Sequence, residues 1–215
     1  MKQTILAMCF LFVAATAHAT SFRVSFDTSP LTGVQTLGFG LTNFDSSSNT
    51  LALSGFDFDS GSPVASSEDC TLGGTLSSAG CSGDLSAGVT LADLDPTAAF
   101  FTQQFNPGSS LSFVLNASNA FSGGGIPDQF SMYVCNGALT TCYSDDASGA
   151  MLLLDLSGGT LTPSSFTAFG ATLQGVNIPV VSEIAQTQVP EPSTLLLLCG
   201  GLCALVQPIR KKHAN

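Results

Sequence analysis

The chain has 215 residues, enough for one domain or two small ones. Only 9% of its residues are charged, against roughly 25% in an average soluble domain. Segment 20–192 holds all fifteen acidic residues and one basic residue, Arg23, a net charge of −14 (1 − 15). Nucleic-acid binding requires several cations, so this composition excludes it. The only histidines, His18 and His213, lie near the ends, which leaves the body no imidazole for a hydrolase triad or a zinc hydrolase.

The first 19 residues have the pattern of a secretory signal peptide. Lys2 precedes an apolar run over 5–15, and Ala17 and Ala19 supply the small residues at the −3 and −1 positions of a cleavage site. We therefore expect cleavage after Ala19 and export of the remaining chain.

Residues 20–188 alternate apolar and polar side chains with a period of two, which indicates β-strands. The clearest alternating runs lie at 22–26, 37–41, 51–58, 111–115, 130–134 and 152–156, and weaker ones at 89–91, 100–105, 166–169 and 176–181. The phase of the third run changes at Ser54 and Gly55, which predicts a β-bulge. Eight to ten short strands with turns rich in Gly, Ser, Asn and Pro predict an all-β fold: an antiparallel two-sheet sandwich, jelly-roll-like.

Four of the seven cysteines lie in this body: Cys70, Cys81, Cys135 and Cys142. An even number in an exported chain indicates disulfide bonds. Three pairings are open, and the local one joins Cys70 to Cys81 and Cys135 to Cys142, so that each bond pins a loop. A zinc site of four thiolates is the alternative, which export to an oxidising compartment and the lack of C-x-x-C spacing disfavour.

The acidic residues raise the question of calcium. Asp57, Asp59 and Glu68 resemble three positions of a calcium-binding loop, but Ser62 stands where that loop needs glycine, and no helix flanks it. Other carboxylates could line a site at the edge of the sandwich, namely Asp93, Asp95, Asp145 and Asp146. We expect no cofactor, and calcium is the one ion that the pattern suggests.

Enzyme activity has little support in the sequence. Two carboxylates could in principle run a glycosidase, but the chain has no Trp and only two Tyr to stack against sugar rings. We therefore expect no catalytic residues.

The last 27 residues combine three parts. Val189, Pro190, Glu191 and Pro192 precede an apolar run over 195–206, and a basic cluster follows, formed by Arg210, Lys211 and Lys212. Twelve helical residues span about 18 Å, short of a hydrocarbon core of about 30 Å. The basic cluster should stay cytoplasmic. We predict a short transmembrane helix with the body outside.

This order of Pro-Glu-Pro, short apolar helix and basic end resembles the PEP-CTERM sorting tail of surface proteins from Gram-negative bacteria. The resemblance implies recognition by an exosortase, a membrane protease or transpeptidase that acts near Pro190-Glu191-Pro192, and an association with exopolysaccharide and biofilm. Short motifs of the body also resemble one family of PEP-CTERM surface proteins: Asp27-Thr28-Ser29-Pro30-Leu31, Phe105-Asn106-Pro107-Gly108 and Leu111-Ser112-Phe113.

We divide the chain into a signal peptide (1–19), a β-sandwich ectodomain (20–188) and a sorting tail (189–215). The expected function is that of a non-enzymatic cell-surface or matrix protein, first anchored in the membrane and then at the surface or extracellular. Its expected partners are an exosortase-type enzyme, the membrane and exopolysaccharide. The alternative is a calcium- or carbohydrate-binding adhesion module. Ice binding is disfavoured because the sequence has no regular Thr-x-Thr array.

Overall fold

The computed structural model describes residues 20–44, 48–71, 80–93, 98–119 and 125–185. Twelve strands run through these residues. In chain order they are β1 (Thr20–Asp27), β2 (Gln35–Thr42), β3 (Thr50–Asp57), β4 (Ser62–Pro63), β5 (Cys81–Asp84), β6 (Gly88–Ala92), β7 (Ala99–Asn106), β8 (Ser110–Ala117), β9 (Asp128–Asn136), β10 (Leu152–Leu156), β11 (Phe166–Ala168) and β12 (Val180–Glu183). The described helices are two three-residue 3-10 turns, Pro163–Ser165 and Thr172–Gln174.

The strands form two six-stranded sheets. Sheet A has the order β12-β1-β8-β3-β6-β5, and sheet B has the order β11-β10-β9-β2-β7-β4. Every pairing between neighbouring strands is antiparallel. The predicted all-β class with two antiparallel sheets is confirmed. The chain crosses between the sheets repeatedly, since β1, β3 and β8 lie in sheet A and β2, β7 and β9 in sheet B.

Alternation along the strands decides which side chains enter the core. In β1, Phe22, Val24 and Phe26 are buried, while Arg23 between them is exposed. The same alternation in β8 buries Leu111, Phe113, Leu115 and Ala117. Since successive side chains of a strand point to opposite faces, these strands turn one apolar face inward.

Phenylalanine rings from both sheets meet in the centre of this core. The Phe39 ring on β2 lies 5.4 Å, centroid to centroid, from the Phe113 ring on β8 of the other sheet. It also lies 6.2 Å from each of its neighbours Phe101 and Phe130 within sheet B. Aromatic pairs at these separations are favourable beyond the area that they bury. The two sheets are therefore the layers of one sandwich.

The predicted bulge in β3 is confirmed. The register of β3 against β8 shifts between Ser54 and Asp57, and Gly55 has φ +60°. A backbone in that region favours glycine, which has no Cβ to clash. Because of the bulge, the alternation changes phase within β3. Leu51 and Leu53 before the bulge and Phe56 and Phe58 after it therefore all lie on the core side.

The structure corrects the predicted strand list in two places. Twelve strands exceed the expected eight to ten, because β4 and β5 were not predicted. The expected strand at 176–181 begins only at Val180; Val176 instead pairs with Ala171 in an isolated bridge. Pro179 stands just before β12, where its fixed φ and missing N–H oppose an earlier start.

Two predicted segments lie outside the described residues: the signal peptide over 1–19 and the tail over 189–215, with its apolar helix. Within the described part of the chain, no helix has the length and apolar character needed to cross a membrane.

Candidate functional site

The four body cysteines form two disulfide bonds, Cys70–Cys81 and Cys135–Cys142, as the local pairing predicts. Asp69, next to Cys70, pairs with Thr102 of β7 in an isolated bridge, and Cys81 begins β5 at the edge of sheet A. The first disulfide therefore ties a segment held against sheet B to an edge strand of sheet A.

The second disulfide closes the loop that follows β9. Asn136 donates its backbone N–H to Thr141 at 2.8 Å, and Tyr143 donates to Val134 at 2.7 Å, so the loop leaves and rejoins the strand at one place. The Gly137 N–H reaches Val34 at 3.1 Å. These contacts fold the loop back towards the residues that precede β2.

Two of the predicted calcium ligands, Asp57 and Asp59, accept hydrogen bonds from the chain itself. Asp57 Oδ1 accepts the Asp59 N–H at 3.0 Å, and Asp59 Oδ2 accepts the Ser109 hydroxyl at 2.6 Å. Glu68 is exposed. Among the described residues, no three His, Cys, Asp or Glu side chains are grouped as a metal ion would require.

Two other acidic residues fix loops. Asp145 accepts the N–H of Thr172 at 3.1 Å and also its hydroxyl proton, and these bonds hold the pKa of Asp145 below its ordinary value. Asp146 accepts the hydroxyl and the N–H of Ser148, which lower the pKa of Asp146 in the same way. Both carboxylates therefore stabilise the loops in which they and their hydrogen-bond donors lie.

Asp93 and Asp128 are buried at the ends of β6 and β9. Asp128 accepts the Phe44 N–H at 2.8 Å and the Asn49 Nδ2 at 2.7 Å. Asp93 donates its N–H to the Asn49 carbonyl at 3.0 Å, and Asn43 Nδ2 donates to Asp93 Oδ1 at 3.4 Å. Buried carboxylates require such donors. This network ties the end of β2 to the start of β3, and the sequence did not reveal it.

A shallow depression of about 180 Å³ lies on the outer face of sheet B. We call it the outer-face depression. Its lining consists of Gly38, Phe100, Thr102, Tyr133, Leu139 and the Cys135–Cys142 disulfide. The described part of that lining contains no carboxylate, amine, guanidinium or imidazole.

Strand register places the rings of the depression. Thr102 and Tyr133 stand opposite Gly38 on either side of β2, and Phe100 stands opposite Gly40. The Phe100 and Tyr133 ring centroids are 5.8 Å apart with planes inclined by 42°. Because β2 offers only glycines at these outward positions, the two rings approach each other across it.

The two glycines differ in the space above them. A Cβ on Gly40 would lie 2.6 Å from Ser131 Oγ and 3.2 Å from the Phe100 ring, so that position is closed. A Cβ on Gly38 would lie 3.5 Å from both Thr102 Cγ2 and Tyr133 Cβ, an ordinary contact distance. Gly38 is therefore the open floor of the depression.

Thr36 lies beside the depression on the same face of β2, between Gln104 and Cys135. It is 3% exposed, and no described residue hydrogen-bonds to its Oγ1. Gln104, its register partner on β7, donates its Nε2 to the Gly137 carbonyl at 3.1 Å. A buried hydroxyl without a partner is costly.

The sequence contained one signal for this surface. Gly38 and Gly40 share a face within a run whose other face is apolar, and glycine inside a strand often marks a close approach of a ligand or another backbone. Phe100 and Tyr133 were predicted as strand residues only. The two rings lie close together only because β7 and β9 both pair with β2. This strand order cannot be predicted from the sequence alone.

The chain was compared with known proteins at three levels. No protein-family model matches it, and no match was found among curated proteins or solved structures.

Proposed function

We propose that the protein is exported and acts, without catalysis, at the cell surface or in the extracellular matrix. The observation that carries the proposal is the pairing of an N-terminal signal-peptide pattern with the tail formed by Pro190-Glu191-Pro192, an apolar run and the cluster Arg210-Lys211-Lys212. That tail resembles the PEP-CTERM signal, which implies sorting by an exosortase and a matrix of exopolysaccharide.

The two disulfides support export. Disulfides persist in oxidising compartments and are rare in reducing ones. Both bonds join cysteines close in sequence, 11 and 7 residues apart. A domain that leaves the cytoplasm gains stability from such bonds.

We also propose that the sandwich is jelly-roll-like. In a jelly roll of eight strands, the first strand pairs with the eighth and the second with the seventh, in opposite sheets. The run β1-β8-β3-β6 in sheet A and the run β2-β7-β4 in sheet B follow that arrangement. β5 departs from it by pairing with β6, and β9 to β12 extend the two sheets at their edges.

A non-catalytic role is supported by the chemistry of the described surface. Among the residues that the structure describes, Tyr133 is the one ionisable side chain that lines the outer-face depression. Asp59, Asp145 and Asp146 accept hydrogen bonds from turns, which lower the pKa of each carboxyl, whereas a general acid needs a pKa raised towards neutrality.

The physical role of the tail follows from its length and its prolines. An apolar run too short for a comfortable anchor would hold the chain in the membrane only until processing. Pro190 and Pro192 deny the backbone helical hydrogen bonds and bias the preceding residues to extended geometry, which is the form that a protease binds. The partner of this step is an exosortase-type enzyme, and the product is a surface or extracellular protein.

Fractionation of producing cells tests the proposal. We expect a protein that begins at Thr20 in the surface or medium fraction of cells with the exosortase, and a heavier, membrane-bound form in cells without it. N-terminal sequencing and intact mass identify both forms. A mature protein that retains residue 1, or the same mass and location in both strains, would contradict the proposal.

A further inference from the structure

We infer that the outer-face depression binds a single ring of an uncharged polysaccharide chain. This inference rests on the proposed location of the protein at the cell surface or in the matrix, and it names the ligand class that the body would meet there.

The size of the depression fits one ring. Its volume of about 180 Å³ is below the roughly 300 Å³ at which pockets for drug-sized molecules begin. The depression is about half enclosed, so we expect one unit of a chain to be seated in it with its neighbours in solvent. Its floor is Gly38, which brings the seated unit close to the backbone of β2.

The lining suits the two sides of a sugar. One face of a pyranose ring presents C–H groups, which pack favourably on the negative face of an aromatic ring. Phe100 and Tyr133 provide such rings, each half-buried and placed side by side. The Tyr133 hydroxyl offers a hydrogen-bonding group to the hydroxyls of the sugar.

The charge of the lining and of the whole body disfavours a charged ligand. No charged side chain of the described residues lines the depression, so these residues offer no counter-charge to a cation or an anion there. The segment 20–192 carries fifteen carboxylates and one guanidinium, and this net negative charge repels anionic polymers. An uncharged ligand is the one that these features admit.

Two protein occupants are also disfavoured. A peptide cannot add as a strand at this place, because β2 is already paired on both edges, with β7 and with β9. A second copy of the chain would need to bury about 800 Å² on each side for a stable interface, and a depression one ring wide is a small part of such an area.

Affinity electrophoresis of the full-length protein in a mild non-ionic detergent tests the inference. Native gels would contain hydroxyethyl cellulose, dextran or galactomannan as neutral polymers, and alginate as an anionic one. We expect retarded migration in at least one neutral gel and none in alginate. Tyr133→Leu, which keeps the bulk but removes the ring, should weaken the apparent affinity about tenfold.

Gly38→Ala separates binding from folding. Its new methyl group meets only ordinary contacts at 3.5 Å, and glycine is unfavourable in a strand interior, so the melting temperature should not fall. The methyl group raises the floor of the depression and should weaken retardation. Phe44→Ala is the matched control: Phe44 is an exposed ring that does not line the depression, and its loss should leave retardation unchanged.

Retardation in none of the three neutral gels, retardation in alginate alone, or equal retardation of Gly38→Ala and Tyr133→Leu with the wild type would overturn the inference. So would a dimer, seen by sedimentation velocity, that either variant abolishes. Cell fractionation of the same variants keeps the two proposals apart, because neither substitution lies in the signal peptide or the tail. Normal sorting with no sugar binding would refute this inference alone.

Discussion

At Gly38 and Gly40, the absence of a side chain determines what the neighbouring residues can do. Gly40 accommodates Ser131 and the ring of Phe100, while Gly38 leaves an open floor beside Tyr133. Both residues lie in a central strand, where glycine normally weakens the structure. The two glycines thus lower the β-propensity of β2, and they leave room on the outer face of sheet B for the depression beside Phe100 and Tyr133.

Short-range bonds from aspartate are the second feature at the scale of single residues. Asp27 accepts the Ser29 N–H at 2.9 Å, and Asp59, with φ +53°, accepts the Ser109 hydroxyl. Asp145 reaches further along the chain, to Thr172. Hydrogen bonds to the charged form lower the pKa of each carboxyl. Because the body has only one basic residue, these aspartates are stabilised by neutral hydroxyl and N–H donors instead of by basic side chains.

Thr172→Val should raise the pKa of Asp145 towards its ordinary value, because the side-chain hydrogen bond from Thr172 is the largest cause of the lowering. A carboxyl with a lowered pKa stabilises the fold above its unfolded value of about 3.9, and this contribution is lost as the pH falls through the lower folded value. The stability difference between wild type and variant should therefore shrink as the pH falls below about 4.

NMR titration of the Asp145 carboxyl measures this shift directly. Asp27 is the internal control, since its lowered pKa depends mainly on Ser29 and should not change in the variant. An unchanged pKa for Asp145 would show that the bond to Thr172 does not persist in solution.

At the scale of elements, the strands that alternate cleanly were the ones that the sequence could predict. β1, β2 and β8 carry large apolar side chains at every second position, and the phase change at Gly55 predicted the bulge in β3. β5, with the sequence Cys-Ser-Gly-Asp, has no apolar alternation, because an edge strand can form through backbone bonds to β6 alone.

The surface features could be predicted less well, because they depend on partners distant in sequence. The Phe100–Tyr133 pair exists only because β7 and β9 both flank β2. Likewise, Asp128 is buried because Phe44 and Asn49 bring donors to it from the other side of a loop. An acidic residue is ordinarily exposed, so the residues next to Asp128 in the sequence do not predict its burial.

Removal of each disulfide should destabilise the sandwich by a similar, moderate amount. Replacing both Cys70 and Cys81 by Ser frees a loop with a separation of 11 residues, and replacing Cys135 and Cys142 frees one of 7. Each loss should cost about 2–3 kcal/mol, slightly more for the longer loop. Urea unfolding of the two double variants measures the costs.

Non-reduced peptide mapping of the wild type is the matching control for the pairing. Fragments that join Cys70 to Cys81 and Cys135 to Cys142 are expected, with no free thiol among the four. A fragment that links Cys70 to Cys142 or Cys81 to Cys135 would contradict the structure.

At the scale of the whole molecule, the described body joins a phenylalanine-rich core to a surface with almost no cations. Six of its largest fully buried side chains are phenylalanines from both sheets: Phe22, Phe39, Phe101, Phe105, Phe113 and Phe130. The aspartates of this body bond to hydroxyl and backbone N–H groups, and two disulfides cross-link it. These properties are compatible with the function that we propose, at the cell surface or in the extracellular matrix.

The intact mass of the variant in which Pro190-Glu191-Pro192 is replaced by Ala-Ala-Ala tests the sorting proposal most directly. Without the prolines, this segment can extend the following helix and loses the backbone form that a protease binds. We predict an uncleaved, membrane-bound protein that is heavier than the processed wild type, with residues 190–215 still attached. Release of the variant at the same processed mass as the wild type would contradict the sorting-tail account and would leave a plain membrane-anchored surface domain in its place.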